Sequence, residues 1–409
     1  MRITFNMQYN QGINSITSTQ ERLLKASAQL EKQTRILTPS DDPSGSARAI
    51  SLEQNIQQTT QFQVNNQAVK NSLTLQETVL SNIKSAVQQA RTLTLSLGNG
   101  SFDPDDREAV SSQLTAIRDQ IFDLMNSRDE LGGYLFSGYK DQTQPYEYNS
   151  ATGKYEFRGD EGVKELQVGL SVTIPSNASG KEVFDGVDKR FTTTTPAVTA
   201  PVTAAQVDVS NQSLYDSFFR ANYSGLPAAD NSVRVALVPG APDTYEVYVG
   251  GNATPAATGN YTAGQPVNFA GLEIELTGAV VGGEVTFDMA PPEKTNILDS
   301  LTELINQVNS GIDGKVLAAQ VSDSIVELDN VSLKIGAAQS LVGGNINILD
   351  SIFGGNEDLQ IATKSHKASI VEVDYVTAIT AITKEETALQ AVQATFTKIT
   401  GLSLFDYIR

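Results

Sequence analysis

Apolar residues in the C-terminal stretch, residues 369–409, recur at the spacing of one helix face. Steps of three, four and seven residues place side chains on a single stripe of an α-helix. The stripe runs roughly eight turns, or about 40 Å at 1.5 Å per residue, so a partner has to cover it. Its members and two apolar residues that follow them are Val371, Tyr375, Ile382, Leu389, Val392, Phe396, Ile399, Leu404 and Phe405.

A matching stripe lies near the other end of the chain. Its members repeat every seven residues and are Ile16, Leu23, Leu30 and Leu37. This heptad predicts a helix over roughly residues 13–37. The two terminal helices are therefore predicted to pair, and the two stripes together form the predicted assembly interface. Leu24 and Ile379 lie off the stripes, so they need further neighbours, which other copies of the chain could supply.

The chain next to these terminal helices is also predicted to be helical. Asp42 can cap a helix that begins at Pro43, and Asp103 can cap another that runs to Leu131. After Pro292, which is the last proline, the apolar pattern predicts a helix from Thr295 and a long helix closed by the glycines at 354–355.

The centre of the chain has a different pattern. Of the 14 prolines, 11 fall between Pro145 and Pro292, and apolar residues alternate with polar ones, which indicates strands. The turn residues 149–153 predict a hairpin. A third strand is predicted at 166–174, a linker at 192–205, and further strands at 233–238, 245–249, 272–276 and 284–288.

These patterns predict an α+β fold. Long N- and C-terminal helices pair as an antiparallel bundle or coiled coil, and small β-rich domains are inserted between them. The predicted domains are a terminal coiled-coil assembly domain (1–43 with 360–409), a helical bundle (44–140 with 293–359), a β-hairpin-rich domain (141–191) and an outer β-rich domain (192–292).

Composition excludes several kinds of chemistry. The chain has no cysteine and one histidine, His366, so a thiol nucleophile, a disulfide and an HExxH zinc site are all absent. No phosphate-binding loop or dinucleotide fingerprint occurs. The sequence predicts no catalytic, cofactor-binding or metal-binding residue, and we expect a protein that is not an enzyme.

Charge excludes nucleic acid as a partner. The net charge is −18, whereas nucleic-acid binding needs a basic face. Residues 1–40 carry five basic and two acidic side chains, a net charge of +3, so the excess acidity lies further along the chain. No stretch has the apolar core of a secretory signal or the length of a membrane span, so export by a cleaved signal and membrane anchoring are both unsupported.

Five short segments resemble the bacterial flagellin-family axial proteins, and within that family the type found at the junction between hook and filament. The resemblance covers both helical flanks, roughly residues 1–140 and 295–409, and is poor in the centre. The segments are Met1–Thr4, Thr38–Pro43, Tyr134–Tyr139, Asp374–Ile379 and Gly401–Ile408.

The resemblance implies a structural building block that forms one layer between hook and filament. It implies export through the flagellar type III channel without a cleaved signal peptide, and an extracellular location on the flagellum. The implied partners are copies of the chain itself, the hook-side junction protein, flagellin, and a flagellar export chaperone on the C-terminal helix. The terminal segments would become ordered in the assembly, and no cofactor is implied.

Two other interpretations stay open. Flagellin itself would share every helical feature, although segments 135–139 and 404–408 are more similar to the junction type. A secreted adhesin or glycan-binding protein would instead act through residues 141–294, and binding of carbohydrate by that fragment alone would favour it.

Overall fold

The structure, a computed structural model, describes residues 5–98, 103–226, 230–278, 282–311 and 314–407, without the side chains of Phe5, 314–315 and 399–407. Helices occupy both ends of the chain. They are α1 Phe5–Glu31, α2 Pro43–Leu97, α3 Pro104–Met125, α4 Gly180–Phe184, α5 Gln212–Asn222, α6 Ile297–Asn309, α7 Gly314–Val371 and α8 Tyr375–Tyr407.

Strands fill the centre. They are β1 Tyr146–Asn149, β2 Lys154–Phe157, β3 Glu165–Gln167, β4 Thr173–Pro175, β5 Val187–Asp188, β6 Ala197–Thr199, β7 Val202–Val209, β8 Ser232–Val238, β9 Thr244–Val249, β10 Ala257–Asn260, β11 Val267–Phe269, β12 Leu272–Gly278, β13 Glu284–Asp288 and β14 Lys294–Thr295. The predicted α+β class, with long terminal helices around a β-rich middle, is confirmed.

The chain divides into two compact units. The first contains residues 1–71, 165–174 and 345–409, and the second contains residues 72–164 and 175–344. The four-part domain division made from the sequence stays a prediction.

In the first unit, a buried hydrogen bond and a more exposed ion pair connect α2 and α7. The Asn66 side chain is 1% exposed, and its Nδ2 donates to the Leu349 carbonyl at 2.8 Å. Lys70 Nζ lies 2.5 Å from the Asp350 carboxylate. A buried amide needs a partner, so Asn66 fixes the register of the two helices where the apolar stripe of α2 is interrupted.

Three helix boundaries differ from the sequence prediction. Helix α1 ends at Glu31, before Leu37, because Gln33 adopts a left-handed conformation (φ 56°). Helix α7 runs through the glycines at 354–355 to Val371, so the last helix begins at Tyr375 rather than at 369. Helix α3 ends at Met125, which leaves Leu131 94% exposed in the following turn.

Residues 166–174, predicted as one strand, form the two short strands β3 and β4 of a hairpin in the first unit. Main-chain carbonyl oxygens of this segment also accept hydrogen bonds from helix side chains. Asn65 Nδ2 on α2 donates to the Gln167 carbonyl at 2.8 Å, and Asn356 Nδ2 on α7 donates to the Val168 carbonyl at 2.9 Å. The hairpin therefore fixes α2 and α7 from one side.

In the second unit, the predicted helix starts are confirmed by their caps. Asp103 and Asp106 form a capping box at the start of α3, and Asn296 caps α6 by accepting from the Asp299 N–H at 2.8 Å. Asn296 Nδ2 also donates to the Tyr155 carbonyl at 2.9 Å. One asparagine thus begins α6 and attaches the predicted β1–β2 hairpin to it.

Residues Tyr134–Tyr139 form part of the core of the second unit. Phe136 is fully buried and its ring packs edge-on against Phe184 at 5.0 Å. Gly138 has a φ of +76°, and a Cβ there would lie 2.1 Å from Asp160 Oδ1. Only glycine fits this turn, since the backbone is left-handed and the space is filled.

The outer β segment has its own apolar core. One sheet has the strand order β10-β9-β8-β13-β6 and the other has the order β11-β12-β7. The predicted strands at 233–238, 245–249, 272–276 and 284–288 are confirmed with small shifts of their ends. The core is formed by Val202, Tyr215, Phe219, Val233, Val235, Leu237, Val247, Tyr261, Val267, Leu272, Ile274, Val285, Phe287 and Met289.

Two features of this segment were missed. The predicted linker 192–205 is wrong, because this stretch contains β6 and the start of β7, which pair with β13 and β12. Helix α5 was not predicted, although Asn211 caps it and Tyr215 and Phe219 are buried four residues apart.

A narrow stem joins the outer β segment to the helices. Strand β5 pairs with β14, with Asp188 opposite Lys294, and the Lys189 N–H donates to the Glu293 carbonyl at 3.0 Å. Arg190 crosses the stem: its Nη2 donates to the Val209 carbonyl at 2.9 Å, and its Nη1 contacts Asp323 on α7 at 2.5 Å. The chain therefore enters and leaves the outer β segment at adjacent positions.

We predict that residues 191–292 can be replaced by a short glycine linker without unfolding the helices. Residues 189 and 293 are already hydrogen-bonded, so closure of the gap costs little entropy. The unfolding midpoint of the helical part, followed by circular dichroism at 222 nm, should shift by less than about 5 °C. Loss of helical signal in this deletion would show that the outer segment is part of the helical core.

Candidate assembly site at the terminal helices

Helices α1 and α8 pack against each other in antiparallel orientation. The rings of Tyr9 and Phe396 lie 5.4 Å apart, and Arg22 Nε lies 3.1 Å from Glu385 Oε2. Thr34, just beyond α1, forms an isolated antiparallel bridge with Glu372, just before α8. Rising numbers on one segment meet falling numbers on the other, as the sequence predicts.

Most of the predicted stripe residues are half-buried: Ile16, Leu23 and Leu30 on α1, and Ile382, Leu389, Val392 and Phe396 on α8. Small residues between them allow close approach. Ala26 and Ala378 are buried, and a Cβ on Gly12 would lie 2.5 Å from Phe396 Cδ2. The two-helix pair therefore covers each stripe in part.

The remaining predicted interface residues lie elsewhere. Leu37 lies in the turn after α1, Val371 is the last residue of α7, and Tyr375 is 50% exposed in the first turn of α8. The side chains of Ile399, Leu404 and Phe405 lie outside the described residues, as do those of segment 401–408 and the whole of segment 1–4.

Apolar side chains also lie on the outer faces of the pair. Leu24 is 63% exposed, Val376 74% and Ile379 53%. The sequence identified Leu24 and Ile379 as residues that need further neighbours. Exposed apolar side chains on helices that already have one partner are typical of a surface that packs against other chains.

Sequence reasoning missed a joint where the α1–α2 turn meets the α7–α8 turn. Besides the bridge between Thr34 and Glu372, the Arg35 N–H donates to the Val371 carbonyl at 2.8 Å, and the Val373 N–H donates to the Gln33 carbonyl at 3.2 Å. The two turns satisfy each other's main-chain groups. The nearby sequence signal is Asp42, which predicts the cap of the helix that begins at Pro43 but not the contact between the two turns.

Two adjacent carboxylates hold the α1–α2 turn in shape. Asp41 accepts from the N–H groups of Leu37 and Thr38, both at 3.0 Å, and from Lys25 Nζ on α1 at 2.6 Å. The hydrogen bond from Lys25, helped by the one from Thr38, lowers the pKa of Asp41 to about 2. Asp41 is therefore ionised at neutral pH, and it links α1 to the turn.

Asp42 caps the next helix. Its Oδ1 accepts from the Gly45 N–H at 2.9 Å and from Ser44 Oγ at 3.0 Å, while Oδ2 accepts from Arg35 at 2.9 Å. The Gly45 hydrogen bond and then the Arg35 guanidinium lower the pKa of this carboxyl. A carboxylate at a helix N-terminus also complements the helix dipole.

The described residues contain neither a metal-binding cluster nor a membrane-spanning helix. Among them, no group of three or more His, Cys, Asp or Glu side chains is placed to hold a metal ion. Within the same residues, no helix combines the length and apolarity that a bilayer crossing requires. The apolar stripes, caps and ion pairs described above can hold helices together, which is a structural role.

Comparison with known proteins points to flagellar components. The family described as the bacterial flagellin N-terminal helical region matches residues 3–141. Flagellar hook-associated protein 3 of Salmonella typhimurium is 34% identical over 187 residues, which are 46% of this chain and 58% of that protein. The match thus spans little more than half of the length of the Salmonella protein. The protein of the same name from Escherichia coli K12 is 25% identical over 406 residues, which are 99% of each chain.

Two crystal structures share the fold. FlgL of Xanthomonas campestris has a TM-score of 0.55 at 24% identity, over 78% of this chain and 99% of that chain. Flagellar hook associated protein-3 of Legionella pneumophila has a TM-score of 0.57 at 23% identity, over 78% of this chain and 98% of that chain. Both comparisons support an arrangement of long terminal helices around a β-rich middle.

We predict that the Asp41 carboxyl titrates near pH 2. A carboxyl whose pKa is lowered by folding stabilises the fold above its unfolded pKa of about 4, and this contribution is lost as the pH falls through about 2. The carbon-13 shift of the Asp41 carboxyl measures the titration directly. In Lys25→Met the pKa should rise toward its ordinary value. Titration near pH 4 in the unsubstituted chain would contradict the contacts of this turn.

Proposed function

We propose that this chain is a bacterial flagellin-family protein that forms the junction layer between hook and filament, since its sequence is similar along its length to flagellar hook-associated protein 3. The observation that carries the proposal is the terminal helix pair, which covers its stripes in part and leaves Leu24, Val376 and Ile379 exposed on its outer faces. These faces become buried when copies of the chain pack side by side around the flagellar axis.

The proposed role is structural and not enzymatic. Its partners are copies of itself, the hook-side junction protein on one side and flagellin on the other, with an export chaperone on the C-terminal helix before assembly. The similarity to hook-associated proteins and the apolar faces, which such partners would cover, support this proposal. The protein acts outside the cell, as part of the flagellum.

The proposed assembly interface consists of the two stripes. Each is half-buried in the single chain, so further burial of their edges is available on assembly, and apolar burial stabilises association by roughly 25 cal/mol per Å². The pair has one ion pair that joins its two helices directly, Arg22 with Glu385, among the described residues. Apolar contact is therefore the main source of affinity in this interface.

The location of the protein tests the proposed function. An epitope inserted in the exposed loop at 250–255 can be labelled with immunogold on intact flagella. We expect label confined to the boundary between hook and filament. Label along the whole filament would identify the chain as flagellin instead, and flagella without label would contradict an axial role.

We predict that Leu389→Asp or Phe396→Asp abolishes incorporation at the hook tip. A carboxylate on a stripe that becomes buried costs several kcal/mol or is forced to protonate, and every subunit in the layer bears this cost. The matched control is Gln390→Asp, which adds the same charge at the next, exposed residue. Cells with Leu389→Asp should shed unpolymerised flagellin from bare hooks, while cells with Gln390→Asp should not.

The folding of the substituted chains separates assembly from stability. Unfolding of the central domains of Leu389→Asp should occur near the normal temperature, because the substitution lies on the terminal pair. Normal filaments on cells that carry Leu389→Asp would refute the assignment of α8 as the assembly element.

A further inference from the structure

We propose that Arg35 is a positioning residue that fixes the direction in which the α1–α8 pair leaves the long helices. The inference rests on the proposed function, in which that pair is the assembly element. Arg35 lies in the turn between α1 and α2, outside both predicted stripes. Its polar groups reach three helices, so this one residue couples segments that are distant in the sequence.

On α7, Arg35 completes the helix end. The last turn of an α-helix has carbonyl groups without helical partners and carries partial negative charge. The last turn of α7 contains no basic residue. Arg35 supplies what is missing: its N–H donates to the Val371 carbonyl at 2.8 Å, and its guanidinium donates to the Ile370 carbonyl at 3.0 Å.

At α2, the same guanidinium pairs with the cap. The first turn of α2 contains no acidic residue, so the negative charge at its N-terminus comes from Asp42, which precedes it. Arg35 Nη2 lies 2.9 Å from Asp42 Oδ2. The C-terminal end of one long helix and the N-terminal end of another are therefore joined through a single side chain.

On α1, the contact is made by the main chain. Gln29 Nε2 donates to the Arg35 carbonyl at 2.6 Å. With the Asp41–Lys25 pair, this contact holds the end of α1 against the turn. The terminal pair is thus attached to the ends of α2 and α7 at a defined place, and its direction follows from the joint.

Exposure decides how the role can be tested. The Arg35 side chain is 51% exposed, and exposed ion pairs contribute little to global stability. Loss of its side chain should leave the two units folded and loosen only the joint. If Arg35 served stability alone, loss of its side chain would destabilise the folded units and would not loosen the joint selectively.

The experiment compares Arg35→Met with Arg22→Met in the full-length chain. Arg22 is a matched control, since its side chain is 55% exposed and its ion pair with Glu385 spans 3.1 Å, but it lies within the terminal pair. Hydrogen exchange measured by mass spectrometry reports on peptides 33–38 and 370–375. We expect exchange there to be about tenfold faster in Arg35→Met, the effect of losing a net hydrogen bond, and unchanged in Arg22→Met.

Arg35→Lys should recover part of the protection. Lysine keeps the charge but lacks the planar fork that serves a carboxylate and a carbonyl together. Incorporation at the hook tip should follow the same order, with Arg35→Met lowest. Three results would overturn the proposal. The peptides could be unprotected in the unsubstituted chain, or they could exchange equally fast in Arg35→Met and in the unsubstituted chain. The third is normal incorporation of a chain whose joint is loosened.

The proposed function is tested apart from this inference. If the tagged, unsubstituted chain is absent from the hook–filament boundary, the proposed function fails and the positioning role fails with it, whatever the exchange data show. If that chain is present there and the peptides of Arg35→Met exchange normally, only the positioning role is overturned.

Discussion

The structure depends on a simple constraint, which is that a long helix with one apolar stripe has to be covered by another helix. Helix α8 finds its cover in α1, and the two meet from Tyr9 with Phe396 to Thr34 with Glu372. Antiparallel pairing brings the first turns of α1 beside the C-terminal half of α8. Everything between them, including the β-rich middle, is an insertion into this hairpin of helices.

The pairing is extended by polar contacts where the helices break. Main-chain groups exposed at a helix end cost free energy unless they find partners. Here the break after α1 and the break before α8 supply partners for each other, and Arg35, Asp41 and Asp42 supply the rest. Two breaks that would each be unfavourable alone become one joint, because they are placed side by side.

Net charge differs between the outer β segment and the N-terminal part of the chain. Residues 192–292 contain nine acidic and two basic side chains, a net charge of −7, and no lysine, whereas residues 1–40 have a net charge of +3. Like charges on a segment attached through a narrow stem repel one another and favour solvent. The terminal helices have few charges to desolvate, which suits segments that pack among neighbours.

The sequence by itself determined the features that depend on local chemistry. The caps at Asp42 and Asp103, the hairpin around 149–153 and the alternating strands of the outer segment were all predictable, because each rests on residues within a few positions of one another. The heptads also identified which helices pair. None of these conclusions needed a contact between distant parts of the chain.

Only the tertiary structure decided where the terminal helices break and what the linker-like stretch becomes. The apolar stripes continue through Leu37 and Val371 without glycine or proline, so their pattern does not show that the chain leaves the helices near residues 34 and 372, where the two segments bridge each other. Likewise the Thr- and Ala-rich residues of β7 are strand because β12 lies beside them, with Val207 opposite Ile274. In both cases the partner that satisfies the main chain is far away in sequence, and a local pattern cannot contain it.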